Sequence, residues 1–125
     1  MQHAPKFLEV VTQARKQIRE TNVHEVKRRM DGREKLLLVD TREDSEWQHG
    51  HISGAIHIGR GVLERDIERL IPDPATEIIL YCGGGYRSAL AAESLKKMGY
   101  TNIISMDGGW TAWVESSYPT NTKSE

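Results

Sequence analysis

The only cysteine of the chain, Cys82, is followed by three glycines and, at position 87, by an arginine. It directly follows the apolar run Ile78–Tyr81, which predicts a buried strand, and a helix is predicted beyond the glycines. Glycines allow backbone angles that other residues resist, so successive N–H groups can converge on one point. The start of the helix and the Arg87 guanidinium add positive charge. These residues predict an anion cradle with a sulfur at its base, a setting that favours thiolate over thiol.

A lone cysteine in a glycine-rich turn can also be a small buried hydrophobic residue. The order of strand, cysteine, glycines, arginine and helix favours a nucleophile, because ligand sites of open α/β sheets lie at the carboxyl ends of strands. The residues expected to bind the substrate are Gly83, Gly84, Gly85, Tyr86, Arg87 and Ser88. Tyr86 lies on the lip of the loop, where it either shapes substrate entry or is simply an exposed residue.

Strands and helices alternate along the chain, which predicts an α/β domain with a mostly parallel sheet. Besides Ile78–Tyr81, strands are predicted at 36–39, 55–58 and 103–106. Apolar periodicity predicts the buried faces of four helices. They are Phe7, Val11, Ala14 and Ile18; Val23, Val26 and Met30; Leu63, Ile67, Leu70 and Ile71; and Ala91, Leu95 and Met98. Asn22 and Glu25 form a capping-box variant at the start of the second helix. A short last helix holds Trp110 and Trp113, whose expected use is core packing. Residues 41–54 are predicted to be a loop, and residues 118–125 a frayed polar tail.

Three segments resemble the rhodanese, or sulfurtransferase, homology domain. They are Val39–Arg42 with Glu46, Trp47 and Gly50–Ile56; the Cys82 loop; and Asp107–Trp110 with Trp113. The resemblance covers roughly residues 18–118. It implies a rhodanese-like three-layer sandwich with a central, mostly parallel five-stranded sheet flanked by helices. The expected organisation is an extension helix at 1–17, the domain at 18–118 and a polar tail at 119–125.

The resemblance also implies a single-domain thiosulfate sulfurtransferase in which Cys82 carries a persulfide. The expected partners are a small sulfur donor such as thiosulfate and an acceptor that is cyanide, a thiol or a protein. No cofactor is expected. Asp40 and Arg42 could contact substrate, but their expected role is to tie loops together. Glu46 and Trp47 are expected to brace a loop.

Three histidines lie close together in the sequence, at positions 49, 51 and 57. The spacing of His49 and His51 could suggest a metal, but no cysteine or carboxylate stands at ligand spacing, so no metal site is expected. His51, within Gly-His-Ile, resembles the family's structural histidine.

Phosphatases and arsenate reductases of the same fold have the pattern Cys-x5-Arg, one residue longer than the Cys82–Arg87 spacing. The shorter loop is expected to hold a single sulfur atom rather than a tetrahedral oxyanion. Arg87 itself departs from many short-loop members, which leaves donor and acceptor open. A non-catalytic binding module is a second alternative, although its usual signature is loss of the cysteine. A persulfide relay to a dedicated protein partner would be intermediate between an enzyme and a binding module, and it stays open as well.

The charge balance gives further expectations about partners and location. The net charge is −1, which gives no general attraction to nucleic acid or anionic membranes. No apolar run approaches the roughly 20 residues that span a bilayer, and the first residues lack the pattern of a signal peptide. A cytoplasmic protein is therefore expected. The oligomeric state stays open, since the amphipathic leading helix could pack on the domain or on a partner.

Overall fold

The computed structural model describes residues 3–122, which form six α-helices and seven strands. The helices are α1 (Pro5–Arg15), α2 (Val23–Asp31), α3 (Asp44–His49), α4 (Leu63–Leu70), α5 (Tyr86–Lys97) and α6 (Gly109–Glu115). The strands are β1 (Arg19–Asn22), β2 (Leu38–Asp40), β3 (His51–Ile52), β4 (Ile56–His57), β5 (Ile78–Tyr81), β6 (Ile103–Asp107) and β7 (Thr120–Asn121). A single 3-10 turn, Arg60–Val62, leads into α4.

Five of the strands form a parallel sheet in the order β1-β6-β5-β2-β4, with β5 in the middle. Successive side chains of a strand point to opposite faces, so β5 contributes to two cores. Ile78 and Leu80 pack with side chains of α4 and α5, whereas Ile79 and Tyr81 pack with those of α2 and α6. The molecule is therefore a three-layer α/β sandwich, which confirms the predicted fold class.

Helix α1 lies against α5, on one face of the sheet. Its buried residues are Val11 and Ala14, which belong to the predicted apolar face. Ile18, predicted on the same face, lies after the helix has ended at Arg15. The leading helix thus packs on the domain, the first of the two arrangements considered from the sequence.

Local sequence signals account for several helix ends. Asn22 Oδ1 accepts a hydrogen bond from the Glu25 N–H at 2.9 Å, which confirms the Asn22 half of the predicted capping-box variant at the start of α2. The Glu25 side chain pairs with Arg28.

The predicted apolar faces are shorter than expected in two places, because Leu70 and Met98 are 45% and 37% exposed.

The edge strand β1 was not predicted from the sequence. Its residues pair with β6 in parallel register, from Arg19 opposite Ile104 to Asn22 opposite Asp107. None of its four side chains is fully buried. An exposed edge strand carries no apolar alternation, so the pattern that predicts strands is missing here.

The prediction of a loop over residues 41–54 is wrong, because this segment contains α3 and β3. Glu43 and Glu46 form a reciprocal capping box at the start of α3. The helix has only six residues and none of its side chains is fully buried, so it shows no apolar periodicity. Strand β2 is also shorter than predicted and begins at Leu38 rather than Leu36.

The predicted frayed tail is partly ordered. Strand β7 pairs with β3 in antiparallel fashion, and Ser53 Oγ donates to Asn121 Oδ1 at 2.9 Å. Trp113 Nε1 donates to the Pro119 carbonyl at 2.9 Å, which fixes the chain just before β7. Residues 123–125 of the predicted tail lie outside the described residues. Within the part of the chain that the structure describes, no helix has the length and apolar character needed to cross a membrane.

Candidate active site

Cys82 directly follows β5, the central strand of the sheet, and is only 1% exposed. The three glycines after it form a short loop, and α5 begins at Tyr86. Gly85, the residue before α5, has a φ of +95° and lies so close to α6 that an added Cβ would be 3.0 Å from the Gly108 nitrogen. A glycine is therefore required at this position, where the chain turns from the loop into the helix.

The Cys82 sulfur lies among polar groups of its own loop and of α5. The N–H groups of Gly85 and Ser88 donate to Sγ at 3.2 and 3.3 Å. Ser88 Oγ lies 3.6 Å from Sγ and 2.8 Å from Ser105 Oγ on β6. Donors aimed at one sulfur stabilise negative charge on it. Of the residues expected to form the anion cradle, Gly85 at the end of the loop and Ser88 on α5 thus direct their N–H groups at the sulfur.

The carbonyl groups of the loop are held by α6. The N–H groups of Trp110 and Thr111 donate to the carbonyl oxygens of Cys82 and Gly83 at 2.8 and 2.9 Å. Because the carbonyl and the N–H of neighbouring residues are linked through planar peptide units, these bonds also restrict where the loop amides point. Sequence reasoning assigned the Asp107–Trp110 segment to the family pattern but did not predict this contact.

Gly109 makes that contact possible. A Cβ at this position would lie 2.4 Å from the Cys82 carbonyl oxygen and 2.9 Å from that of Gly83. No side chain fits between the start of α6 and the cysteine loop. In the sequence, the Gly108-Gly109 pair after an apolar strand is compatible with a close approach of another backbone segment. Only the structure shows that this segment is the cysteine loop.

Helix α1 reaches the loop through Arg15. Its guanidinium donates to the Gly85 carbonyl at 3.4 Å and to Asp107 Oδ1 at 3.2 Å. Partial burial raises the pKa of Glu20, a second carboxylate beside Arg15, and the Arg15 charge opposes that rise. Arg15 thus joins the N-terminal helix to both the loop and the end of β6.

An open pocket lies in front of the cysteine. Among the predicted substrate-binding residues, Gly83, Gly84, Tyr86 and Arg87 line it together with Cys82. The remaining lining residues are His3 and Phe7, before and on α1, and Gly108, Thr111, Ala112 and Glu115, at the start of and along α6. Arg87 is 39% exposed on its side chain, and its nearest carboxylate, on Glu46, is 3.9 Å away. The guanidinium is therefore available to an anion in the pocket.

Asp40 and Arg42 form a buried ion pair at the end of β2. Arg42 Nη2 lies 2.8 Å from Asp40 Oδ2, and the same nitrogen donates to the Gly50 carbonyl at 2.6 Å. The guanidinium also lies 4.5 Å from the Trp110 ring centroid. Neither residue lines the pocket in front of Cys82. Their geometry is that of a tie between loops, the role expected from the sequence.

Tyr81, the last residue of β5, supports the same region from the core. Its hydroxyl accepts a hydrogen bond from the Ile52 N–H at 3.1 Å. Burial raises the pKa of the Tyr81 phenol far above its usual value, and the negative charge of Asp40 adds to the shift. The side chain is therefore a neutral core phenol rather than an acid or a base of the site.

Two of the clustered histidines pack on Trp47. The His51 ring stacks on it with centroids 3.5 Å apart, and the His57 ring with centroids 5.0 Å apart. His51 is 4% exposed and His57 Nε2 lies 2.7 Å from the Arg42 carbonyl. His49 contacts the Ser45 carbonyl instead. In residues 3–122 no set of three or more histidine, cysteine or acidic side chains could hold a metal ion.

Comparison with known proteins identifies a matching family and several similar proteins. The rhodanese-like domain model matches residues 22–116. The chain is 33% identical over 96 residues to "Putative sulfur carrier protein YrkF" of Bacillus subtilis, covering 77% of this chain and 51% of that protein. It is 31% identical over 105 residues to "Putative sulfurtransferase YtwF" of the same species, covering 84% and 99%. The chain thus spans about half the length of the first relative and nearly all of the second.

A solved structure is similar over almost the whole chain. It is a protein of unknown function from Rhodopseudomonas palustris, named a "Possible Tyrosine Phosphatase". The two chains are 27% identical and superpose with a TM-score of 0.81, which covers 97% of this chain and 99% of the other.

Proposed function

The chain belongs to the rhodanese-like domain family, and we propose that it moves a sulfane sulfur from a donor such as thiosulfate to a thiophilic acceptor through a persulfide on Cys82. The observation that carries this proposal is the pair of N–H groups, from Gly85 and Ser88, that donate to the buried Sγ. They are fixed in place before any substrate arrives, so they stabilise charge on sulfur without reorganisation.

In the first step the Cys82 thiolate attacks the outer sulfur of the donor. A bond forms between Sγ and that sulfur, and the sulfur–sulfur bond of thiosulfate breaks with its electron pair leaving on sulfite. The product is the Cys82 persulfide anion. Arg87, half-exposed at the pocket wall, orients the anionic donor. This is covalent catalysis by an activated nucleophile, and it needs no general base once Cys82 is ionised.

In the second step the acceptor attacks the outer sulfur of the persulfide, and Cys82 leaves as the thiolate. With cyanide the product is thiocyanate, so atoms and charge balance across the cycle. A thiol or a protein cysteine would take the sulfur in the same way. The relatives named as sulfurtransferase and sulfur carrier support sulfur transfer as the general class of chemistry, and the carrier suggests a protein acceptor among the candidates.

Phosphate-ester hydrolysis is the competing function, and the name of the similar Rhodopseudomonas structure raises it. Phosphoryl transfer places three equatorial oxygens around the reacting axis, and each needs a donor. Only four residues separate Cys82 from Arg87, and α6 holds the loop from behind through the Cys82 and Gly83 carbonyls. A loop of this length favours one sulfur atom over a tetrahedral group.

The test is the mass of the intact protein. Thiosulfate should add one sulfur atom and cyanide should remove it. Cys82→Ser should keep the fold and take up no sulfur, because a serine oxygen forms no persulfide. Aryl-phosphate hydrolysis should be negligible in the same preparation. If the mass stays unchanged with a broad range of donors, or if aryl phosphates turn over faster than sulfur, the proposed function is wrong.

A further inference from the structure

Three aromatic rings form one side of the pocket mouth in front of Cys82. The His3 and Tyr86 ring centroids are 4.3 Å apart, and the Phe7 ring lies 5.3 Å from His3 and 6.1 Å from Tyr86. All three residues line the same pocket as the cysteine. We call this set, His3, Phe7 and Tyr86, the aromatic wall.

The wall is held in place by the packing of α1. Arg15, at the end of this helix, lies 5.2 Å from the Tyr86 ring centroid and also donates to the Gly85 carbonyl. Val11 and Ala14 are buried against the domain. The position of Phe7 relative to the loop is therefore fixed by contacts along the helix, which makes the wall a preorganised surface.

Two members of the wall lie outside the family segment. The match to the rhodanese-like domain begins at residue 22, after His3 and Phe7, whereas Cys82 and its loop lie within it. The chemistry proposed above uses only Cys82, its loop and the first turn of α5, so thiosulfate would leave the aromatic side of the pocket without a contact. An apolar surface of this kind next to a reactive sulfur points to a substrate with an apolar part.

We propose, resting on the sulfur transfer proposed above, that the aromatic wall determines donor specificity: among monoanions with a sulfane sulfur, it favours those that also carry an apolar group. The sulfane sulfur meets Cys82, the negative charge faces Arg87, and the apolar group packs on Phe7 and Tyr86. Glu115, exposed on the α6 side of the same pocket, disfavours a second negative charge. Organic thiosulfonates have this arrangement, because their sulfonyl oxygens share the negative charge and the apolar group is bonded to the sulfonyl sulfur.

The transfer step balances. A thiosulfonate, with its outer sulfur on a sulfonyl group, gives the Cys82 persulfide anion and a sulfinate. The new bond is from Sγ to the outer sulfur, and the broken sulfur–sulfur bond leaves its electron pair on the departing sulfinate.

Two thiosulfonates that differ only in the organic group test the idea. Benzenethiosulfonate carries a ring and methanethiosulfonate a methyl group, and both are monoanions with the same reactive sulfur. With cyanide as the common acceptor, kcat/KM for the donor reports only the donor half-reaction in a ping-pong cycle. The quantity to measure is the ratio of kcat/KM for the benzene donor to that for the methane donor.

Phe7→Ala should lower this ratio by about fivefold, the effect of losing roughly one aromatic contact. Phe7→Leu, which keeps an apolar side chain and protects the fold, should lower it by a smaller factor. The matched control is Leu8→Ala, since Leu8 is on the same helix, 38% exposed and outside the pocket. That control should leave the ratio unchanged, and Phe7→Ala should weaken inhibition by benzenesulfinate more than by methanesulfinate.

The outcomes separate this inference from the proposed function. If neither thiosulfonate nor thiosulfate loads sulfur on Cys82, sulfur transfer itself fails and the inference falls with it. If both thiosulfonates are used and Phe7→Ala and Phe7→Leu change their kcat/KM values by equal factors, the wall has only a structural role. The inference is also overturned if Leu8→Ala shifts the ratio as much as Phe7→Ala.

Discussion

At the scale of single residues, Arg87 is the charged group best placed to act on a donor. It lies at the pocket wall with its side chain 39% exposed, and its nearest carboxylate partner, Glu46, is 3.9 Å away. An exposed ion pair at that distance is weak and costs little to exchange for a substrate anion. We therefore expect Arg87, unlike the buried Arg42, to act on a donor through its charge.

Arg87→Ala is expected to affect the two half-reactions differently. Loading from thiosulfate should slow by roughly tenfold or more, the loss of one charge-assisted contact. Discharge of the persulfide to cyanide should change less, because the loop amides still hold the sulfur. Single-turnover rates of each half-reaction, followed by intact mass, measure the difference.

The control is Arg69→Ala, which removes the same charge from a side chain that is 71% exposed and outside the pocket. At physiological salt its effect on either half-reaction should be small, since surface charges are screened beyond about 8 Å. Equal losses of loading and discharge in Arg87→Ala would mean that Arg87 only shapes the loop.

At the scale of elements, the cysteine loop depends on α6. The first turn of that helix binds the carbonyls of Cys82 and Gly83, and Gly109 permits the approach. The loop is thus held between α5, which supplies the Ser88 N–H to the sulfur, and α6, which holds the carbonyls. Small displacements of α6 should therefore shift the loop and, with it, the Gly85 N–H that donates to the sulfur.

Gly109→Ala should impair sulfur transfer strongly. The new Cβ would meet the Cys82 carbonyl oxygen at 2.4 Å, so the loop or α6 must move. We expect persulfide formation to fall by at least about tenfold, in line with the sensitivity of reactions to misplacement of the reacting groups. Intact mass after a short thiosulfate pulse measures this loss.

Gly54→Ala is the matched control for this variant. Both glycines have a left-handed φ, +86° at Gly54 and +50° at Gly109. At Gly54, however, nothing lies within 4 Å of the place that an added Cβ would take. The backbone strain of a left-handed alanine, about 1 kcal/mol, applies to both. If the two variants lose the same amount of sulfur transfer, strain rather than the close approach to the loop explains the effect.

At the scale of the whole molecule, the Asp40–Arg42 pair joins parts of the chain that are far apart in sequence. It connects the end of the central sheet at β2 with the Gly50 carbonyl before β3 and with the Trp110 ring of α6. Both side chains are almost completely buried, at 0% and 3% exposure. A pair of this kind is costly to break, because the buried Asp40 carboxylate would lose its counter-charge and keep only neutral donors such as the backbone N–H of residue 42.

Arg42→Ala should therefore lower the free energy of unfolding by about 3–5 kcal/mol. Denaturant unfolding of this variant and of the parent chain gives the difference. The control is Arg28→Ala, which removes an arginine whose side chain is 70% exposed and should leave the midpoint nearly unchanged. A folded Arg42→Ala of unchanged stability that uses thiosulfate poorly would instead make Arg42 a donor contact.

Much of the central sheet could be predicted from the sequence, because its inner strands are buried on both faces. The apolar runs at β5 and β6 indicated strands directly, and the cap of α2 followed from Asn22 three residues before Glu25. Strands β1, β3 and β7 could not be predicted. They are two to four residues long, and the pairings of β1 with β6 and of β3 with β7 join distant parts of the chain.

The sequence by itself determined that Cys82 is the candidate nucleophile. The contacts of its sulfur with Gly85 and Ser88 span three and six residues, so strand, glycines and helix encode them locally. Only the tertiary structure decided what surrounds that loop: Ser105 behind Ser88, the first turn of α6 on the carbonyls, and the aromatic rings of His3 and Phe7 at the mouth. These contacts join segments distant in sequence. No local periodicity or turn signal specifies them, because they arise from how the layers of the sandwich pack.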